Sequence, residues 1–283
     1  IEFFQKVADK TRKMIVDWQR VGFVHGVMNT DNMSILGLTI DFGPYGWLED
    51  YNPDWTPNTT DSQNRRYRFG NQPDIAQWNL YQLANALYPL IEIAEPLETI
   101  LNNFKEQYEA DYLTMMRDKL GFSKILKEDK KIIEALENVL QLSETDITIF
   151  CRELSNIKKE LSVGVGISLV NNAFYNPKEI SKTILKSWEK WFTKYINRIK
   201  LEDDSDEIRK TKMDLVNPKY VLRNYMAQIA IDAANNEDYS VVNELHTVLK
   251  KPYDEQPEFE KWYAKRPDWA RVKIGCSMLS CSS

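Results

Sequence analysis

The sequence predicts a mainly α-helical fold in which a short β-hairpin carries a metal site. Three observations predict it. Apolar residues recur at helical spacing over most of the chain. One short run, Ser34 to Ile40 (SILGLTI), is partly β-branched and bounded by polar residues, as a small strand pair about Gly37 would be. That run lies between Asp31-Asn32 and Asp41-Phe42-Gly43, which places hard oxygen donors on both sides of it.

Taken in order, Ile1 to Arg20 carries Phe3, Phe4, Val7, Met14, Ile15 and Trp18 on one face, an amphipathic helix that Gly22 is expected to end. Pro44 to Pro73 is rich in Pro, Asn, Asp, Gly and aromatic residues and has no period. It reads as a long ordered loop, a kind usually functional inside a compact domain. Asp74 to Leu90 then shows a helical face of Ile75, Trp78, Leu80, Leu83, Ala84 and Leu87. Further helices are expected at Pro96 to Leu120, Lys127 to Leu142, Asp146 to Leu161, Pro177 to Leu201, Pro218 to Asn235 and Tyr239 to Lys250, several with Pro in the first turn. The acidic run Glu202 to Glu207 reads as a solvated loop, and the tail from Lys251 as irregular chain wrapped on the helical body.

Composition narrows the function classes. With 43% hydrophobic and 28% charged residues the chain has the make-up of an ordinary globular protein. A net charge of -5 argues against a nucleic-acid partner, since neutralising phosphates needs clustered excess Lys and Arg. The longest apolar run, Leu161 to Val170, falls well short of a membrane span, so no membrane association is expected. The chain begins at Ile1 inside an amphipathic pattern, which reads as a fragment or processed form. Three cysteines, Cys151, Cys276 and Cys281, are too few for a disulfide-stapled secreted domain. Cys151 falls in an amphipathic helix and is expected in the core. Cys276 and Cys281 lie near the chain end, where their spacing permits a disulfide without requiring one.

The stretch His25 to Gly43 (HGVMNTDNMSILGLTIDFG) carries the chemistry. A protein-kinase catalytic loop is written H-R-D-x-x-x-x-N and is followed, after a β-hairpin, by D-F-G; its Asn and last Asp hold Mg²⁺. His25 and Asn32 have the same offset of seven positions, and Asp41-Phe42-Gly43 follows. Val27, however, stands where the kinase base Asp belongs and cannot accept a proton. Asp31 is the carboxylate left for that work. His25 has no nucleophile beside it and is expected to be structural. The bland reading of Asp31-Asn32, an ordinary capping turn, is weakened by the register with the DFG.

The runs HGVMNTDNMSILGLTIDFGPYG, NRRYRFGNQPDIAQWNL, NPKYVLRNYMAQIAI and PYDE, with CSS at the end, closely resemble the selenoprotein O family of kinase-fold proteins. The resemblance spreads over most of the chain and is weakest between about Pro96 and Lys212. It implies a protein-kinase-like C-lobe over residues 1–250, with catalytic loop 25–32, DFG 41–43, activation-type loop 44–73, helical body 74–250 and a tail 251–283. The N-lobe, with its Gly-rich loop and ATP-contacting Lys, would lie outside this chain, so activity of the chain alone is not expected.

The implied activity is protein adenylyltransferase: a pseudokinase by motif that moves AMP from ATP to Ser, Thr or Tyr hydroxyls of protein substrates. By position Asp31 matches the family's proton acceptor, Asn32 and Asp41 its Mg²⁺ ligands (Mn²⁺ being an alternative ion), and Asp41 also faces the nucleotide. Kinase-type phosphoryl transfer with Asp31 as base, and a regulatory pseudokinase without turnover, are the alternatives.

Cys281 stands where many animal members carry selenocysteine, which implies a redox role for Cys281 and Cys276. In bacterial members a C-terminal Cys can pair with one in the loop after DFG; here Tyr51 to Gly70 contains none. The resemblance implies mitochondrial residence for a eukaryotic source and cytoplasmic for a bacterial one. Arg65, Arg66 and Arg68 either meet phosphate or order the loop, and Tyr45, Trp47, Tyr51 and Trp55 are expected to pack it.

Overall fold

A computed structural model describes residues 1–273, 275, 276 and 279; Cys281 lies outside the described residues. The fold is mainly helical, and the described chain divides into two compact units, one holding Ile1–Gly46 with Pro53–Met115 and the other Trp47–Asn52 with Met116–Cys276.

In the first unit, α1 (Glu2–Val21) buries Phe4, Val7, Met14, Ile15 and Trp18 of the expected face, leaves Phe3 in its first turn 52% exposed, and ends at Gly22 in the left-handed conformation as expected. β1 (Phe23–Val24) pairs with β2 (Gly46–Trp47) in a two-stranded sheet. α2 (Gln72–Ile91) packs on α1, and α3 (Glu95–Leu120) is tied to α1 by Arg12, which meets Asp111 at 2.8 Å and Gln107 at 2.6 Å. Trp78, expected on the buried face of α2, is instead 44% exposed, and the Arg66 guanidinium stacks over its ring at 4.7 Å. The positions of α2 that do turn inward are Gln72, Ile75, Ala76, Asn79, Leu80 and Ala84.

The hairpin expected over Ser34 to Ile40 does not form. The segment is a turn, with Gly37 N–H donating to Ser34 O at 3.0 Å, followed by irregular backbone. Its polar groups are taken by side chains of the preceding segment: Trp18 Nε1–H donates to Thr39 Oγ1 at 2.8 Å, and His25 Nε2 meets Ile40 O at 2.8 Å. Ile35, Leu36, Leu38 and Ile40 are exposed, so the apolar pattern that suggested strands has no sheet to fill.

In the second unit, α4 (Asp129–Leu140) and α6 (Val163–Leu169) pack on α7 (Lys182–Ile199), and α5 (Ile147–Leu154) meets it through Phe150, whose ring centroid lies 5.4 Å from that of Trp188. α7 buries Trp188, Trp191, Phe192 and Tyr195, side chains each worth roughly 1.5 to 3 kcal/mol on burial. α5 stops well before the expected Leu161, and α6 fills part of the apolar run that follows, capped by Ser162.

The acidic run is not a solvated loop throughout. Glu202 is buried, accepting from Arg198 at 2.5 Å and from the Ser123 backbone N–H at 3.0 Å. Ser205 caps a helix missing from the sequence reading, α8 (Asp206–Val216), because the cap hydroxyl accepts from Ile208 N. α9 (Asn224–Ala234) and α10 (Ser240–Leu249) pack together, and the tail adds Trp262, Ala270 and Cys276 to their core with Tyr220, Met226 and Val248.

Trp47–Asn52, in the middle of the loop after DFG, belongs to this second unit. Ile147 N–H donates to Glu49 O and Tyr51 N–H to Thr145 O, both at 3.0 Å. Glu49 meets Arg266 at 2.9 Å, yet burial outweighs Arg223 and Arg266 and holds its carboxyl up at about 7.

Candidate functional site

The loop from Gly26 to Asn32 follows β1 with no regular structure of its own until the single 3₁₀ turn Thr30–Asn32, and amide side chains hold its backbone in place. Gln72 is reciprocal, accepting from His25 N at 3.0 Å and donating to Phe23 O at 2.9 Å. Asn58 donates to Gly26 O at 3.2 Å, Asn32 to Val27 O at 3.0 Å and Asn79 to Met28 O at 2.9 Å. Tyr67 donates to Asn29 Oδ1 at 2.5 Å. A segment with no helix or strand of its own would otherwise bury unsatisfied carbonyls; these amides replace the missing ladder. Gly26 is required where it stands, since its φ is +80° and a Cβ would sit 2.2 Å from Pro44 O.

This scaffold leaves the predicted chemical groups outward. Asp31 is exposed and Asn32 half-buried on the 3₁₀ turn. Because the Asn32 Nδ2 end is committed to Val27 O, its Oδ1 is the end left to meet a cation. Asp41 is exposed and takes a left-handed φ of 56°, a conformation that Asp tolerates better than most residues and that is found at functional sites. Gly43 N–H donates to Asp41 O at 2.8 Å, and the Phe42 and Tyr45 rings meet edge to face with centroids 5.3 Å apart.

His25 joins the two halves of the motif. It is buried, with its ring stacked on Trp18 at 5.5 Å. Nε2–H donates to Ile40 O, immediately before Asp41, while Nδ1 accepts from Val27 N at 3.4 Å inside the loop. The neutral imidazole protonated at Nε2 satisfies both partners, so His25 is structural, as its isolation from any nucleophile suggests.

Burial lowers the His25 pKa, and this outweighs the opposing pull of Ile40 O and of the Asp41 charge. The neutral form is therefore favoured in the folded protein. His25 stabilises the fold fully above its ordinary value of about 6.5 and less as pH falls below it towards the lowered folded value. Proton NMR of the chain's two histidines should show the His25 ring titrating below 6.5; a midpoint at or above that value would exclude the neutral, doubly satisfied ring.

The side-chain oxygens of Asn32 and Asp41 are of the hard kind that a divalent cation such as Mg²⁺ takes, and few protein ligands suffice for it when phosphate oxygens supply others. Among the described residues no cluster of three or more His, Cys, Asp or Glu could hold a metal.

Arg68 pairs with Asp54 at 3.1 Å and Arg66 stacks on Trp78, so both order the loop. Asp61 accepts from the backbone N–H groups of Arg66 and Tyr67, at 2.8 and 2.7 Å. Cys276 is 6% exposed in an apolar cluster, and burial pushes its thiol pKa up, an environment that favours the inert thiol. Cys151 is buried, as its helical position predicts.

Gln72, Asn58 and Asn79 were not singled out by the sequence reading. The signal was present for two of them: Gln72 and Asn79 lie two turns apart on α2, polar residues on its buried stripe.

The chain is similar in sequence to known proteins over its whole length. A protein nucleotidyltransferase YdiU of Flavobacterium johnsoniae is 64% identical over 283 residues, covering 100% of this chain and 54% of the relative. Those of Rhodopirellula baltica and Aromatoleum aromaticum are 52% and 50% identical, covering 99% and 100% of this chain and 54% and 53% of the relatives. The chain therefore spans about half the length of the curated relatives it matches. The family model described as protein adenylyltransferase SelO matches residues 1–250, and the chain belongs to that family.

Proposed function

We propose that the protein of which this chain is part transfers AMP from ATP to Ser, Thr or Tyr hydroxyls of protein substrates, using Mg²⁺ or Mn²⁺. The observation that carries the reading is the loop itself. Val27 occupies the position of the kinase base and its carbonyl is bound by Asn32, while Asp31 and the Asn32 oxygen stand on the turn that follows backbone held by Gln72, Asn58 and Asn79. Family membership and the relatives' name, protein nucleotidyltransferase, support the same class of reaction.

In this reading Asp31 accepts the proton of the attacking hydroxyl. Asn32 Oδ1 and Asp41 hold the cation, and Asp41 also faces the nucleotide. His25 keeps Asp41 and the loop at a set spacing through Ile40 O. The bound cation supplies neutralisation of charge developing on the phosphate oxygens. The ATP contacts of the N-lobe are assigned to the part of the full-length protein outside this chain. The relatives are bacterial, which favours the cytoplasm over the mitochondrion. No helix among the described residues is long and apolar enough to cross a membrane. Redox control is assigned to Cys281 rather than to the packed Cys276.

The test is a polypeptide of the relatives' full length given ATP labelled at the α or the γ phosphate. Label should pass to protein from the α position only. Label from γ alone would replace this reading with phosphoryl transfer, and label from neither would leave a nucleotide-binding regulator.

A further inference from the structure

The 3₁₀ turn that carries Asp31 and Asn32 opens at Asn29, whose carbonyl accepts from the Asn32 backbone N–H at 3.0 Å. An asparagine in this place ordinarily turns its side-chain oxygen back to cap the N–H groups of its own turn. Asn29 makes no such bond. Its Oδ1 accepts instead from the Tyr67 hydroxyl at 2.5 Å, 38 residues further along the chain and also in the first unit. The start of the turn is thus tied to the loop after DFG.

The Tyr67 end of this bond is itself fixed. Its backbone N–H and that of Arg66 donate to the two oxygens of Asp61, a carboxylate only 8% exposed, at 2.7 and 2.8 Å. Asn71 Nδ2 donates to Arg66 O at 2.5 Å, and the Arg66 guanidinium lies 5.7 Å from the Tyr67 ring centre and 4.7 Å from that of Trp78. A hydrogen bond between two mobile side chains gains little, because both must be ordered to make it. Here the backbone beneath Tyr67 is held by a buried carboxylate, and its short, rigid side chain has little freedom left to lose.

We propose that Tyr67 is a positioning residue for AMP transfer, its hydroxyl fixing, through Asn29, the place of Asp31. The assignment rests on the reading of Asp31 as the proton acceptor. A general base works only within hydrogen-bond reach of the proton it takes, so a turn free to rock at its start weakens the chemical step. The cation ligand is affected less, because the Asn32 side chain has its own anchor on Val27 O. Loss of the Tyr67 hydroxyl is therefore a defect of turnover and not of cation or nucleotide binding.

Tyr67→Phe keeps the ring and removes only the hydroxyl. In the full chain, NMR should show the Asn32 N–H exchanging with solvent about fivefold faster in Y67F, the ratio that the net worth of one hydrogen bond gives. Asn29→Ala, which removes the acceptor, should do the same. In a polypeptide of the relatives' full length, Y67F should lower kcat for AMP transfer about tenfold, inside the roughly 10²-fold that a small misplacement can cost. The KM for ATP and the metal requirement should be unchanged. The double variant of Y67F with N29A should be no slower than the slower single variant, because both remove the same bond. Unchanged exchange at Asn32 in Y67F, losses that add in the double variant, or a loss that appears in KM or in the metal requirement would overturn the assignment. The exchange measurement needs no ATP, so a parent protein that transfers no AMP would overturn the proposed reaction and not the tie between Tyr67 and the turn, which the exchange alone decides.

Discussion

Replacing Arg223 by Ala should destabilise the second unit by about 3 to 5 kcal/mol, the cost of stranding one member of a buried ion pair. The partner is Asp146, 0% exposed, whose two oxygens accept from Arg223 at 2.7 and 3.0 Å. Asp146 is committed elsewhere too: Oδ1 accepts from Ile149 N at 3.0 Å as the cap of α5, and Oδ2 from the Tyr175 hydroxyl at 3.4 Å. Without Arg223 the carboxylate stays buried near Glu49, whose own carboxyl is held up by burial and by the Asp146 charge.

The double variant Asp146→Asn with Arg223→Met removes both charges and keeps a capping oxygen. It should recover more than half of the loss, because the penalty lies in the unpaired charge rather than in the pair. Urea unfolding monitored by tryptophan fluorescence reads both quantities. A loss under 1 kcal/mol for R223A would mean that water reaches the site and that the pair is not sealed.

Arg223 also shows where the sequence was legible and where it was not. Periodicity placed most of the helices, because burying an apolar stripe is decided within each segment; α1 ends at Gly22 as its spacing predicts. The role of Arg223 was not legible, since Asp146 lies 77 residues away and no local pattern joins them. Glu202 looked like part of a charged loop, and only its partners show otherwise: Arg198, four residues earlier, and the Ser123 N–H, 79 residues earlier.

The hairpin failed for a related reason. SILGLTI has strand-like residues, but a strand is specified by its partner, and the pairing goes instead to Phe23–Val24 and Gly46–Trp47. The candidate site rests on a different kind of signal, because the spacing from His25 to Asn32 and on to Asp41 is a statement about chemistry. The amides that hold the loop carry no such signature: Asn58 lies in an aperiodic segment, and Gln72 and Asn79 are legible only once α2 is known to turn that face inward.

In a polypeptide of the relatives' full length, Asp31→Asn should lower AMP transfer by about 10²- to 10⁴-fold, the range that general-base catalysis contributes. The substitution keeps size and polarity at an exposed position, so the fold and nucleotide binding should be retained and the loss should appear in kcat. Asp41→Asn should act differently. It removes a cation ligand's charge, so the loss should be accompanied by a raised metal requirement, and excess Mn²⁺ should restore part of the rate. Asn32→Ala should combine a metal defect with loosening of the loop, because it also frees Val27 O. Metal titration of the three variants separates these roles. A D31N enzyme within threefold of the parent would remove Asp31 as proton acceptor, and the base would then have to be sought on the substrate or outside this chain. Unchanged metal dependence in both D41N and N32A would remove the cation site from this loop altogether.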